Sequence, residues 1–239
     1  MATSERLTNE VDVLVVGGGT AGHVAALQAA RAGAKTLLLE RGPQLGGTMT
    51  TGGVSVPGLF HAWGQQIIAG IGWELVERAV ALDGATLPDF SAAPAHHWVH
   101  QVTINGPLYT ALAEEACLDA GVHLCYYEFP LDASPSPKGW LVESVGPGVR
   151  RRIWCRQVID CTGGADFAAA LGFPRLRDNQ IQPGTLTFTL GGYDTEALDA
   201  DLIQQRYEQA LRDGVLQRGD FSTPDGRFIS FLQCRGRNV

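Results

Sequence analysis

Six residues, Gly17-Gly18-Gly19-Thr20-Ala21-Gly22, constrain this chain more than any other stretch. Before them stands Val11-Asp12-Val13-Leu14-Val15-Val16, mostly apolar and β-branched, the pattern of a strand buried on both faces. After them runs an Ala- and Leu-rich segment to Ala32 with no proline, which predicts a helix closed by Gly33. Residues 35–40 then read as a second strand that ends in an acid, Glu40. Strand, glycine turn, helix, strand and acid together predict a dinucleotide-binding βαβ unit.

Each position has a physical task. Gly17 allows a sharp turn off the strand. Gly19 leaves room for a pyrophosphate against the backbone. Gly22 lets the helix approach the strand closely. The first N–H groups of the helix, around Thr20 and Ala21, lack partners within it and favour an anion. Glu40 offers a carboxylate to ribose hydroxyls and would repel a 2′-phosphate.

A second glycine-rich stretch follows directly, residues 41–53, with threonines interleaved. It leaves the carboxyl end of a strand, where open α/β sheets bind ligands. Arg41, Gly46, Gly47, Thr48, Thr51 and Gly52 are candidate cofactor contacts. Residues 157–166 repeat the theme: an apolar strand empties into Cys161-Thr162-Gly163-Gly164 and a short helix at 167–171. Asp166 is the expected cap of that helix.

The order VDVLVVGGGTAGHVAALQAARAGAKTLLLERGPQLGGTMTTGG resembles the N-terminus of FAD-dependent oxidoreductases of the glutathione-reductase-like superfamily. It is most similar to the bacterial branch related to fumarate reductase and succinate dehydrogenase flavoproteins. The resemblance implies a Rossmann-like α/β FAD-binding domain, a parallel sheet with a β-hairpin insertion. It gives Gly17, Gly19, Thr20, Ala21, Gly22 and Glu40 to the pyrophosphate and ribose. By the same resemblance, Thr162 and Gly163 lie near the phosphates, and a strand ending near Pro130-Leu131 places Leu131 beside adenine. No histidine stands between Gly46 and Gly53, so covalent flavin attachment there is not expected.

Further along, the spacing of Ile67, Ile68, Ile71, Leu75, Val76 and Val80 predicts a helix over 65–82. Another helix is expected over 108–120, then strands over 122–127, 140–145 and 152–158, with Arg150-Arg151-Arg152 as a solvated hairpin edge. Residues 186–190 and 228–232 read as strands and 195–212 as a charged helix. The expected domains are 1–175 for FAD, with a helical excursion at about 54–100, and 176–239 for the start of an α+β substrate domain. The family normally continues with a returning segment, so the chain is expected to cover about the first half of it.

The resemblance implies hydride transfer between an unidentified small molecule and flavin. A non-catalytic dinucleotide-binding fragment and an NAD-dependent dehydrogenase are the alternatives. The second signature at Thr162 favours FAD over NAD. His61 and His97 are the candidate catalytic residues, and His96, His97 and His100 lack the Cys or carboxylate partners of a metal site. A net charge of −7 argues against nucleic acid as partner. No stretch has the apolar length of a membrane span. Five cysteines without CxxC spacing read as reduced thiols, and the expected location is the cytoplasm.

Overall fold

The computed structural model describes residues 5–91, 97–179, 191–192, 194 and 197–217. The chain divides into two units, Met1–Thr187 and Phe188–Val239. The first is built on a six-stranded sheet in the order β5-β2-β1-β8-β7-β6. These strands are β1 (Glu5–Val16), β2 (Thr36–Glu40), β5 (His123–Tyr126), β6 (Phe129–Ser136), β7 (Gly139–Gly146) and β8 (Val149–Asp160). The run β5-β2-β1-β8 is parallel, and β7 and β6 extend it as antiparallel hairpins. The fold is therefore mixed α/β with a mainly parallel sheet.

Both faces of the central strands are buried, as their unbroken apolar runs require. Val15 and Leu38 face a core made with α1 (Thr20–Arg31), α2 (Ile71–Leu82) and α3 (Gly106–Asp119). Leu14, Val16, Leu37 and Leu39 face the other way, onto Ile153, Cys155 and Phe167 of α4 (Asp166–Ala170). This alternation is the period of two that a strand imposes.

Several expectations change. The segment 65–82 is not one helix. Its first residues form a small hairpin, β3 (His61–Ala62) with β4 (Gln65–Gln66), and α2 begins only at Ile71. Gly70, at φ 80°, separates the two, and Ile67 and Ile68 stay about half exposed. Among the described residues of the excursion at 54–100, regular structure is confined to this hairpin, α2 and a 3-10 turn at His97–His100. The strand at 122–127 stops at Tyr126, because Tyr127 turns to φ 58°, and a separate strand, β6, starts at Phe129.

Arg151 does not belong to a solvated edge. Consecutive strand residues point to opposite faces. Arg150 and Arg152 reach the exposed side and pair with Glu143, while Arg151 is buried against Glu128. Its Nε and Nη2 donate to the two Glu128 oxygens at 2.9 and 2.8 Å, and its Nη1 donates to Asn9 at 2.6 Å. The Ser144 hydroxyl donates to the same carboxylate.

In the second unit, α5 (Ala200–Arg212) is capped by Asp199, whose carboxylate accepts the N–H groups of Asp201 and Leu202. It therefore starts later than residue 195. The expected strands at 186–190 and 228–232 lie outside the described residues.

Candidate functional site

The carboxyl ends of β1, β2 and β8 open together into a cleft of about 960 Å³. Three turns build its floor, one after each strand. Gly17 leaves β1 at φ 95°, a conformation that L side chains rarely adopt, and any Cβ there would lie 2.5 Å from the Cys161 carbonyl oxygen. Gly22 packs tighter still: a Cβ would fall 1.7 Å from the Gly17 carbonyl oxygen. Gly19 is the opposite case. Its Cβ position meets nothing within 4 Å and faces the cleft.

The turn after β2 is tied to the first. The Gly46 N–H donates to the Gly18 carbonyl at 2.9 Å, and the Thr20 hydroxyl reaches the Gly46 carbonyl at 3.3 Å. Gly46 itself sits at φ 100° and starts a 3-10 turn at Gly47–Met49. The threonines then diverge. Thr48 and Thr51 line the cleft, with Thr51 also accepting from Gln44. Thr50 turns inward, its hydroxyl donating to the Leu45 carbonyl.

Glu40 closes the β2 end. Its two carboxylate oxygens accept the N–H groups of Gly18 at 2.7 Å and Gly42 at 2.6 Å. Each oxygen keeps a lone pair for a ligand hydroxyl. The carboxylate thus braces the first glycine turn and also lines the cleft.

At the β8 end the N-cap position of α4 is Ala165, which lends no side-chain cap, and Asp160 rather than Asp166 accepts a first-turn N–H of the helix. Asp160 accepts the Thr162 N–H and hydroxyl with one oxygen and the Ala168 N–H with the other. The Asp166 N–H donates to the Thr162 hydroxyl, and Asp166 pairs with Arg175. Burial pushes the Asp160 carboxyl up, but these hydrogen bonds outweigh it and hold the group below the ordinary carboxylate range.

Of the expected cofactor residues, Gly17, Gly19, Thr20, Ala21, Glu40, Arg41, Gly47, Thr48, Thr51, Gly52, Thr162 and Gly163 line this one cleft. Gly22 and Gly46 lie behind its wall, as packing and turn residues. Leu131 does not line it. Phe129 and Pro130 do, together with Glu128, and Leu131 is half exposed beyond the bulge between Pro130 and Asp132. Sequence reading also missed Asp160 and Phe129. Asp160 carried a signal, an acid at the end of a strand before a Thr-Gly turn; Phe129 carried none.

Of the two candidate catalytic histidines, His61 lies elsewhere. His61 stacks on Phe90 with ring centroids 3.7 Å apart and meets Trp73 edge-on. Its buried Nδ1 has no hydrogen-bond partner, and the residue does not line the cleft. His97 begins the 3-10 turn His97–His100. Among the described residues no group of three His, Cys, Asp or Glu is placed to hold a metal ion, and no helix is long and apolar enough to cross a membrane.

Known proteins resemble this chain in sequence and fold. The profile of a family described as FAD dependent oxidoreductase matches residues 12–230. Dihydrolipoyl dehydrogenase from Trypanosoma brucei brucei is 47% identical over 55 residues, which are 23% of this chain and 12% of that protein. The anhydrotetracycline hydroxylase OxyS from Streptomyces rimosus has a similar fold, with a TM-score of 0.50 at 20% identity over 68% of this chain and 34% of its own. A flavoprotein/dehydrogenase from Cytophaga hutchinsonii matches with a TM-score of 0.46 at 21% identity, over 69% and 42% of the two chains. The chain spans about a third of the length of the hydroxylase.

Proposed function

The chain belongs to the FAD dependent oxidoreductase family, and from that premise we propose that its cleft holds FAD for the oxidation or reduction of a small molecule. The observation that carries the reading is the open Cβ position of Gly19 between two glycine turns that touch each other. A phosphate fits where a side chain would have stood, in front of the free N–H groups of α1. The Glu40 carboxylate, braced by Gly18 and Gly42, is set to accept ribose hydroxyls. The turn at Gly47–Met49 and the threonines Thr48 and Thr51 carry the wall onward to the far end of the cofactor. Bound FAD supplies the hydride chemistry; the chain's own residues hold and orient it.

The order of the two glycine turns supports a place in the glutathione-reductase-like superfamily, on the branch related to fumarate reductase and succinate dehydrogenase flavoproteins. We read residues 1–175 as the FAD-binding domain and 176–239 as the start of a substrate domain. Free cysteines at 117, 125, 155 and 161 support a reducing compartment such as the cytoplasm.

The test is a visible spectrum of the purified chain, followed by titration of apoprotein with FAD. A flavin spectrum, and saturable quenching of flavin fluorescence, are the expected results. A colourless chain that takes NAD and not FAD overturns the assignment. A yellow chain that no reductant reduces is a binding fragment and not an enzyme.

A further inference from the structure

His23 is the one histidine in the first turn of α1, and it is fully buried. Its Nδ1 lies 2.8 Å from the Gly19 carbonyl oxygen, and its Nε2 lies 3.0 Å from the Tyr109 hydroxyl on α3. A carbonyl oxygen only accepts, so Nδ1 carries the proton. Nε2 is then an acceptor, and the Tyr109 hydroxyl donates to it. The two rings meet edge-on, 5.7 Å apart. Burial lowers the affinity of His23 for a second proton and pushes Tyr109 up to about 12, so both keep these roles.

The Gly19 carbonyl thus receives three donors, the N–H groups of Gly22 and His23 and the His23 ring. A trans peptide sets its C=O and the following N–H on opposite sides. A carbonyl held down into the helix therefore holds the Thr20 N–H up toward the cleft. Glycine has no side chain to limit its own rotation, so the clamp acts on the most permissive residue of the turn.

We propose that His23, steered by Tyr109, is a positioning residue that fixes the Gly19–Thr20 peptide for the pyrophosphate of the cofactor. The inference rests on the FAD reading of the cleft. It separates the phosphate end of the ligand from the nucleoside end, because the clamp touches only the first glycine turn.

The experiment is calorimetric titration of the full chain with ADP and with adenosine. Relative to the parent, His23→Leu weakens ADP about tenfold, the loss of about one hydrogen bond, and leaves adenosine unchanged. His23→Asn, whose amide N–H takes the place of Nδ1, restores ADP binding to near the parent's. Tyr109→Phe leaves the ring unsteered and weakens ADP by a smaller factor. A His23→Leu chain that binds ADP like the parent overturns the proposal. So does one that loses ADP and adenosine alike, since that is a general structural effect. If His23→Leu does not fold, the other two variants decide: tenfold loss in His23→Asn, or none in Tyr109→Phe, overturns it. A parent chain that takes neither ADP nor FAD overturns the cofactor reading and this inference with it.

Discussion

Glu40 Oε2 accepts the backbone N–H of Gly18 at 2.7 Å, across 22 residues of sequence. The end of the second strand is thereby bolted to the turn that leaves the first. Any ligand hydroxyl that Glu40 holds is held in register with the glycine turn.

This dual role makes the effect of Glu40→Ala large. It removes the acceptor for Gly18 and Gly42 as well as the one for ribose. We expect FAD affinity to fall by about 1.5–3 kcal/mol, the usual range for hydrogen bonds to a charged group. Stability should fall too, by about 1 kcal/mol, read from urea denaturation. Equal FAD affinity in mutant and parent would take Glu40 out of the site.

Gly19 and Gly22 separate binding from folding. Gly19→Val puts its side chain into open cleft, so the chain keeps its stability to within about 1 kcal/mol but loses FAD. Gly22→Ala drives a methyl into the Gly17 carbonyl oxygen and costs about 3 kcal/mol of folding free energy. Thermal melts beside FAD titrations distinguish them. A Gly19→Val protein that stays yellow contradicts the cleft assignment.

The buried pair of Arg151 and Glu128 has a pH signature. Burial pushes the Glu128 carboxyl up, while the Arg151 hydrogen bonds and charge, with help from Ser144, pull it further down. A carboxyl lowered on folding adds stability above its ordinary value of 4.5, and that stability is lost as pH falls through the lowered one. Arg151→Met strands a buried charge and should cost about 3 kcal/mol at pH 7. In the variant burial dominates, so the carboxyl takes up a proton readily. The gap between parent and variant should therefore narrow at pH 4. Urea denaturation at both pH values checks this; a constant gap rejects it.

Cysteine labelling offers a fourth check. Burial, and then the neighbouring Asp160 carboxylate, raise the Cys161 thiol above its ordinary value. Alkylation at pH 7 should be slower than for a free thiol and quicken as pH rises. Cys161 lines the cleft, so ADP or FAD should protect it. Cys117, Cys125 and Cys155, pushed up to about 11, 12 and 11, are buried and should react only after unfolding. Mass spectrometry of labelled peptides reads each site. Labelling of Cys161 unaffected by ADP or FAD would place the ligand elsewhere.

The βαβ unit was legible because three signals agree there: β-branched runs, glycines at fixed offsets and a terminal acid. The edge strand β6 was not, since Pro130, Asp132 and Pro135 weigh against a strand. An edge tolerates prolines because its outer N–H groups need no sheet partner. The hairpin at residues 61–66 hid behind isoleucines that happen to recur at helical spacing, and only Gly70 marked the break. Arg151 was readable in principle. It alternates with Ile153 and Cys155 on one face of a strand, so three successive arginines never share one environment. His61 drew a catalytic reading from its residue type alone, whereas its stacking on Phe90 depends on chain segments about thirty residues apart.

The pairing of β1 with β8 runs the full length of both strands, from Glu5↔Val149 to Val16↔Asp160. Roughly 140 residues separate each pair, a distance the ribosome needs on the order of ten seconds to cover. Through that interval β1 has β2 along Val13–Val16 on one edge and no β8 on the other. The nascent chain therefore carries a strand whose apolar end, Val11–Val16, has an open flank until residue 160 emerges, a template for pairing with other chains. Contacts so remote in sequence also slow folding, because the loop must close before they give anything back. Chaperone demand and yield at high expression should thus be governed by how soon β8 arrives, and slower translation ahead of it would lengthen the exposure.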